Sequence, residues 1–248
     1  MGARLMHQWL AKSGYDMHEA VKLGSEAPPP RAVDTRSVPM IWAVTVRRCA
    51  AAQRTLTNTW SNSTRIGPAS RQIAAQLRGW ISTYGTDATT PFRFGDLSRR
   101  VPEIDMRCAV NREVVTSEWY GPVDDLYAAF GNALVRPALS GVAEPIRGGW
   151  RVAIGEIGTY LRDSYDFTGD QPLGSWGPTG LSRAAVLAPE IEIDLRKNAR
   201  SANQQFWRVD NDSFRRFRKL TRMGGDFMVY SNVRRERLVT PVVISVRT

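Results

Sequence analysis

Apolar positions recur along this chain with two different periods, helical spacing in the first half and two-residue alternation in the second. Leu5, Met6, Trp9 and Leu10 predict a helix in the block from Arg4 to Ala20, ended by Gly14. Three prolines in Gly24–Arg31 forbid helix and favour an extended connection. The expected organisation is therefore an N-terminal helical appendage over 1–23, a Pro-rich linker over 24–36 and one α+β domain over 37–248. Alternation of Val38, Met40, Trp42, Val44 and Val46 predicts a strand, followed by helix over 48–58. A second helix is expected from Pro68 to about Trp80, with Ile73, Leu77 and Trp80 on one stripe. Residues 82–100 are turn-rich, and 103–115 reads as one or two strands broken near Asn111. A third helix is expected from Pro122, with Val123, Leu126, Tyr127, Phe130 and Leu134 as its core face.

Trp150 to Leu161 predicts a strand punctuated by Gly155 and Gly158, and 190–195 alternates as a half-buried strand. Asp212 is placed to cap a helix from Ser213 to Met223, stopped by Gly224 and Gly225. Its face Phe214, Phe217 and Leu220 is expected to pack on a sheet, with its basic residues in water. Segments 226–233 and 238–246 are then expected to pair as a hairpin, with Arg234, Arg235 and Arg237 at its tip. Helices early and strands late make the class α+β, with a mostly antiparallel sheet in the C-terminal half.

Composition agrees with a packed protein: 42% of the 248 residues are hydrophobic and 23% charged, with eight Trp and eight Phe. No apolar run approaches the roughly 20 residues needed to cross a bilayer. The first ten residues contain no continuous apolar stretch and no small-residue cleavage site, and Met6 stands where myristoylation wants Ser or Thr. Synthesis in the cytoplasm is expected, with any export by a route that uses no cleaved signal. Cys49 and Cys108 give no ligand spacing or disulfide framework and are expected as buried free thiols. Histidine occurs only as His7 and His18, which argues against a Ser-His-Asp or Cys-His enzyme and against a zinc site.

Net charge is +10, and Arg far outnumbers Lys. The guanidinium fork pairs two oxygens at once, so this excess raises the expectation of an anionic substrate or nucleic-acid partner. A GC-rich genome that encodes basic positions as Arg produces the same composition.

No phosphate loop, dinucleotide-binding glycine fingerprint, His-Glu-x-x-His or nucleophile elbow occurs. The densest chemistry follows the strand ending near Leu161, where Asp163, Asp166 and Asp170 stand close in sequence to Arg162, Tyr165, Gln171 and Trp176. Several oxygens in one loop suit Mg²⁺ or Ca²⁺, with Asp163, Asp166 and Asp170 as ligands. One carboxylate beside Tyr165 would then serve as a base. The same residue types also build an ordinary tight turn, with Tyr165, Phe167 and Trp176 as core anchors.

Ile154–Phe167, Gln171–Trp176, Asn211–Arg215 and Gly224–Val233 resemble an uncharacterised proteobacterial domain-of-unknown-function family found beside type VI secretion genes, as does Ala3–Leu10. Relative to that pattern the chain begins late. The resemblance implies a setting, interbacterial competition, with a role as effector, adaptor or accessory protein and a secretion-system or immunity protein as partner. Asp163, Tyr165 and Asp166 are also similar to the catalytic segment of the colicin M family, where Asp-x-Tyr-Asp follows a strand. That likeness implies metal-assisted cleavage of a phosphoester or pyrophosphate, with Asp163, Tyr165 and Asp166 as catalytic residues. The His-Arg pair that should follow is absent from 167–176. Three functions result: an antibacterial effector hydrolase, a non-enzymatic secretion adaptor, and a basic nucleic-acid-binding protein.

Overall fold

Trp150, Val152, Ile154 and Ile157 bury one side of a long strand, β5 (Gly149–Tyr165), and this strand organises a seven-stranded sheet. The computed structural model describes residues 1–61, 70–85, 89–116, 125–169, 172–177, 180–182 and 207–247. The chain divides into two units, one of Met1–Gly2, Glu19–Ser164 and Met228–Thr248, the other of Ala3–His18 and Tyr165–Phe227.

In the first unit β4 (Ala133–Ile146) runs antiparallel along one edge of β5. β10 (Arg234–Arg247) pairs antiparallel with 149–159 of β5, and β9 (Phe227–Ser231) also lies beside β5. β1 (Val33–Val38) pairs parallel with β9, so the sheet is mixed. β2 (Phe92–Phe94) and β3 (Glu113–Val115) pair with separate stretches of β4. Register places Val246 opposite Trp150, Ile244 opposite Val152 and Val242 opposite Ile154, all buried on one face.

Two helices cover that face. α4 (Arg47–Ser61) buries Cys49, Ala52, Leu56 and Trp60, and α5 (Ser70–Tyr84) buries Ile73, Leu77 and Trp80. Both rows follow the three-and-four spacing of an amphipathic helix. Trp60, Ile73, Leu77 and Trp80 share one core with Phe94, Leu139, Trp150, Val152 and Ile244. Each large apolar side chain so buried stabilises by about 1.5–3 kcal/mol relative to exposure. The Trp80–Phe94 stack, 4.1 Å between centroids, adds about 0.5–1.5 kcal/mol.

In the second unit α1 (Gly2–Ala11) turns Leu5 and Trp9 inward. Trp9 meets Phe167 edge-on at 4.8 Å and Phe214 at 5.4 Å, while Phe167 and Phe214 stack at 4.0 Å. Phe214 belongs to α8 (Asn211–Thr221), whose start is a capping box between Asp210 and Ser213. The cap is thus Asp210 rather than Asp212, because Asp210 keeps extended backbone while Asp212 is already helical. Leu220 is exposed, not packed with Phe214. Gly224 (φ 90°) is required where it stands, since a Cβ there would lie 2.4 Å from the Trp9 ring. β6 (Pro172–Gly177), β7 (Gly180–Ser182) and β8 (Trp207–Asp210) form a separate three-stranded sheet.

Helices gather mostly in the N-terminal half and strands in the C-terminal half, so the class is α+β. The strand expected over 38–46 ends at Val38, and α3 (Met40–Ala43) follows, because Pro39 cannot donate to a ladder and sits at the helix N-cap. The freed Met40 N–H donates to Asn232 at 2.7 Å. The start of 103–115 belongs to α6 (Val101–Arg107), where burial falls at 101, 104, 105 and 108, a helical rather than alternating period. Leu134 belongs to β4 rather than to a helix, since α7 (Asp125–Phe130) stops before Gly131 at φ 66°. β9 and β10 do not pair as a hairpin, because each hydrogen-bonds to β5 instead. Arg234, Arg235 and Arg237 stand within β10, and Arg235 grips Glu156 of β5 at 2.8 and 3.0 Å. The strand expected over 190–195 lies outside the described residues. Among those described, no helix is long and apolar enough to cross a membrane.

Candidate anion-binding face

The Asp-rich turn divides between packing and local hydrogen bonding. Tyr165 is buried, its ring stacked on Phe227 at 5.2 Å and edge-on to Phe167 at 5.7 Å. Asp166 is half-buried, and its Oδ1 accepts from the Thr168 backbone N–H at 3.1 Å and the Thr168 hydroxyl at 2.7 Å. Such a self-closed turn is what Asp followed by Thr and Gly builds. Asp163 is half-buried near the end of β5, and Trp176 lies in β6 with its backbone paired to Leu181 and Trp207. Asp170 and Gln171 lie outside the described residues. Among the described residues no three His, Cys, Asp or Glu side chains gather as a metal site. Cys49 and Cys108 are buried and not joined in a disulfide, and burial pushes the Cys108 thiol up.

Arg162 belongs to a buried ionic centre in the first unit. Asp105 of α6 faces Arg136 at 2.5 Å and Arg162 Nε at 3.1 Å, and accepts from the hydroxyls of Tyr160 and Tyr230. Arg162 also donates to the carbonyls of Val21 (3.1 Å) and Lys22 (2.7 Å) in α2 (Glu19–Leu23), so it ties a helix end to the sheet. Burial, then the neighbouring Asp105 carboxylate, holds the Tyr160 hydroxyl well above the usual range and pushes Tyr230 up to about 12.

A second closed network holds the other unit together. Asp226, fully buried, accepts from Trp9 Nε1 at 2.9 Å and Met17 N–H at 3.1 Å, and pairs with Arg218. Arg218 reaches Asp16 at 3.2 Å and lies over the Trp9 ring. Burial raises the Asp226 pKa, with the Trp9 hydrogen bond, the Met17 N–H and Arg218 pulling the other way.

Positive charge without local compensation is concentrated elsewhere. From Thr35 to Thr86 the sequence contains seven Arg and no Asp or Glu. At the chain's overall 24 acidic residues in 248, about five would fall in those 52 positions. α4 and α5 occupy most of this run and bury their apolar rows against the sheet. Their exposed sides repeat one pattern, Arg47-Ala51-Arg54 on α4 and Arg71-Ala75-Arg78 on α5. Spacings of four and three place each trio on one helical stripe. Among the described residues, none of these four arginines has an ion-pair partner. Where α4 begins, a cavity of about 470 Å³ is lined by Arg47, Arg48 and Arg54 together with Val44, Ala50 and Ala51. Guanidinium groups suit an oxyanion there, since each offers two parallel N–H donors. The carboxylate-free run was the sequence signal for this face; net charge alone dilutes it over the whole chain.

No curated protein and no solved structure matches the chain. A match over residues 1–246 shows that the chain belongs to DUF6402, a family of unknown function.

Proposed function

We propose that the protein is a non-enzymatic accessory in a type VI secretion setting, holding an acidic partner protein on the arginine face of α4 and α5. The observation that carries the reading is that face, with Arg47, Arg54, Arg71 and Arg78 turned to solvent on two helices without a carboxylate. A surface of one sign speeds encounter with a complementary partner and rejects like-charged ones. Ala51 and Ala75 between the arginines leave room for close approach of a partner's chain. Trp60 and Trp80 point into the core instead of offering stacking platforms, which favours a protein over single-stranded nucleic acid. The secretion setting rests on the resemblance of Ile154–Val233 alone.

The hydrolase alternative draws on Asp163, Tyr165 and Asp166. Two of these are engaged structurally, Tyr165 in aromatic packing and Asp166 in its turn with Thr168. The test is bacterial growth while expressing wild type and Asp166→Ala, in the cytoplasm and with an added periplasmic signal. Normal growth with soluble protein in both compartments is expected. Periplasm-specific killing that Asp166→Ala abolishes would overturn the reading in favour of envelope chemistry.

A further inference from the structure

We infer that the cavity at the start of α4 is a binding site for a small organic phosphate. Arg47, Arg48 and Arg54 carry fixed positive charge, and α4, which bears all three, contains no Asp or Glu. Arg47 and Arg54 have no ion-pair partner among the described residues, and Arg48 is half-buried between them in sequence. Thr45, which also lines the cavity, spends its hydroxyl proton on the Trp42 carbonyl at 2.7 Å, leaving the guanidinium groups as the side-chain donors.

Charge and size together select the ligand. A phosphate monoester carries about −1.5 to −2 at neutral pH and offers three acceptor oxygens, so it engages more than one guanidinium fork where a single carboxylate satisfies one. The volume of about 470 Å³ falls within the roughly 300–1,000 Å³ of small-molecule sites. Inorganic phosphate would leave Val44, Ala50 and Ala51 uncovered. An apolar body attached to the phosphate buries them. The cavity shares Arg47, Ala51 and Arg54 with the proposed partner face, whereas Arg71 and Arg78 belong to that face alone and do not line the cavity.

The test is calorimetric titration of the full chain at constant ionic strength with phenyl phosphate, inorganic phosphate and benzoate. Phenyl phosphate is expected to bind about ten-fold or more tighter than either other probe, and Arg54→Met to weaken it about ten-fold or more. Ala51→Glu, a carboxylate placed at an exposed helical position that tolerates it, is expected to abolish binding. Arg78→Met should leave the affinity within about two-fold, since a charge outside the cavity acts only through screened solvent. Equal binding of phenyl phosphate and inorganic phosphate, absence of binding, or equal losses in Arg54→Met and Arg78→Met would each overturn the assignment. None of these outcomes touches the partner reading, which Arg71→Glu with Arg78→Glu tests separately.

Discussion

Replacing Asp105 by Asn removes one negative charge from a site that encloses two arginines. The Asp105 side chain is 3% exposed and that of Arg162 5%, so water does not compensate the loss. The amide keeps the shape but offers only one acceptor oxygen, where the carboxylate served Arg136, Arg162, Tyr160 and Tyr230. Breaking a buried pair from one side costs about 3–5 kcal/mol, because the remaining charge stays buried and unpaired. Typical domains have only about 5–15 kcal/mol in total, so the variant should be folded but strongly weakened. For a chain of this size the loss corresponds to about 6–20 °C in Tm. Urea unfolding followed by tryptophan fluorescence should show a lower midpoint at unchanged slope. Arg162→Met should then cost less in the Asp105→Asn background than in wild type, since it removes the uncompensated charge. A loss below about 1 kcal/mol in Asp105→Asn, or no coupling to Arg162, would refute the account of this centre.

Two tryptophans of the same core should differ. Trp80 Nε1 donates to the Arg107 carbonyl at 2.8 Å, whereas the buried Trp60 Nε1 has no hydrogen-bond partner among the described residues. Trp80→Phe should therefore destabilise by about 1 kcal/mol more than Trp60→Phe in matched urea titrations. The tyrosines beside Asp105 predict an alkaline slope. Both protonated forms are shared by folded and unfolded chains below the ordinary value of 10, so stability is full there. Above 10 the unfolded chain releases the Tyr230 proton while the folded chain keeps it until about 12, so stability falls as pH rises through that window. Urea midpoints between pH 9 and 11 should fall less steeply in Tyr230→Phe than in wild type; equal slopes would contradict the assignment.

What was legible in the sequence was what local periodicity decides. α5 was visible because Ile73, Leu77 and Trp80 repeat at helical spacing, and α4 in part, as helix over 48–58. β5 was visible in part from its alternating Trp150, Val152 and Ile154. β4 was not, because Pro137, Gly141 and Pro145 punctuate it like a loop. Its neighbours accommodate them in three separate pieces: β3, a bridge from Ala109 to Ala138, and β2. The partner of β10 was invisible for another reason. Strand pairing over about eighty residues depends on which edge of β5 is open, and no short-range pattern reports that. At the site level, Arg162 and Tyr165 were noticed for their chemistry, but their neighbours Asp105, Val21 and Phe227 come from distant sequence and give them structural work. The arginine face was missed in the sequence, where its one signal is a missing residue type, the carboxylate-free run between Thr35 and Thr86.

The proposed role of the α4–α5 arginine face is to hold an acidic partner in secretion. Its most direct test is release of type VI effectors into culture medium by a host deleted for this gene and complemented with wild type, Asp166→Ala, or Arg47→Glu/Arg54→Glu/Arg71→Glu/Arg78→Glu. Because all four arginines are exposed, the quadruple variant should fold and accumulate normally. The account predicts wild-type release with Asp166→Ala and loss of release with the quadruple variant. Full release with the quadruple variant, or loss with Asp166→Ala alone, would contradict it.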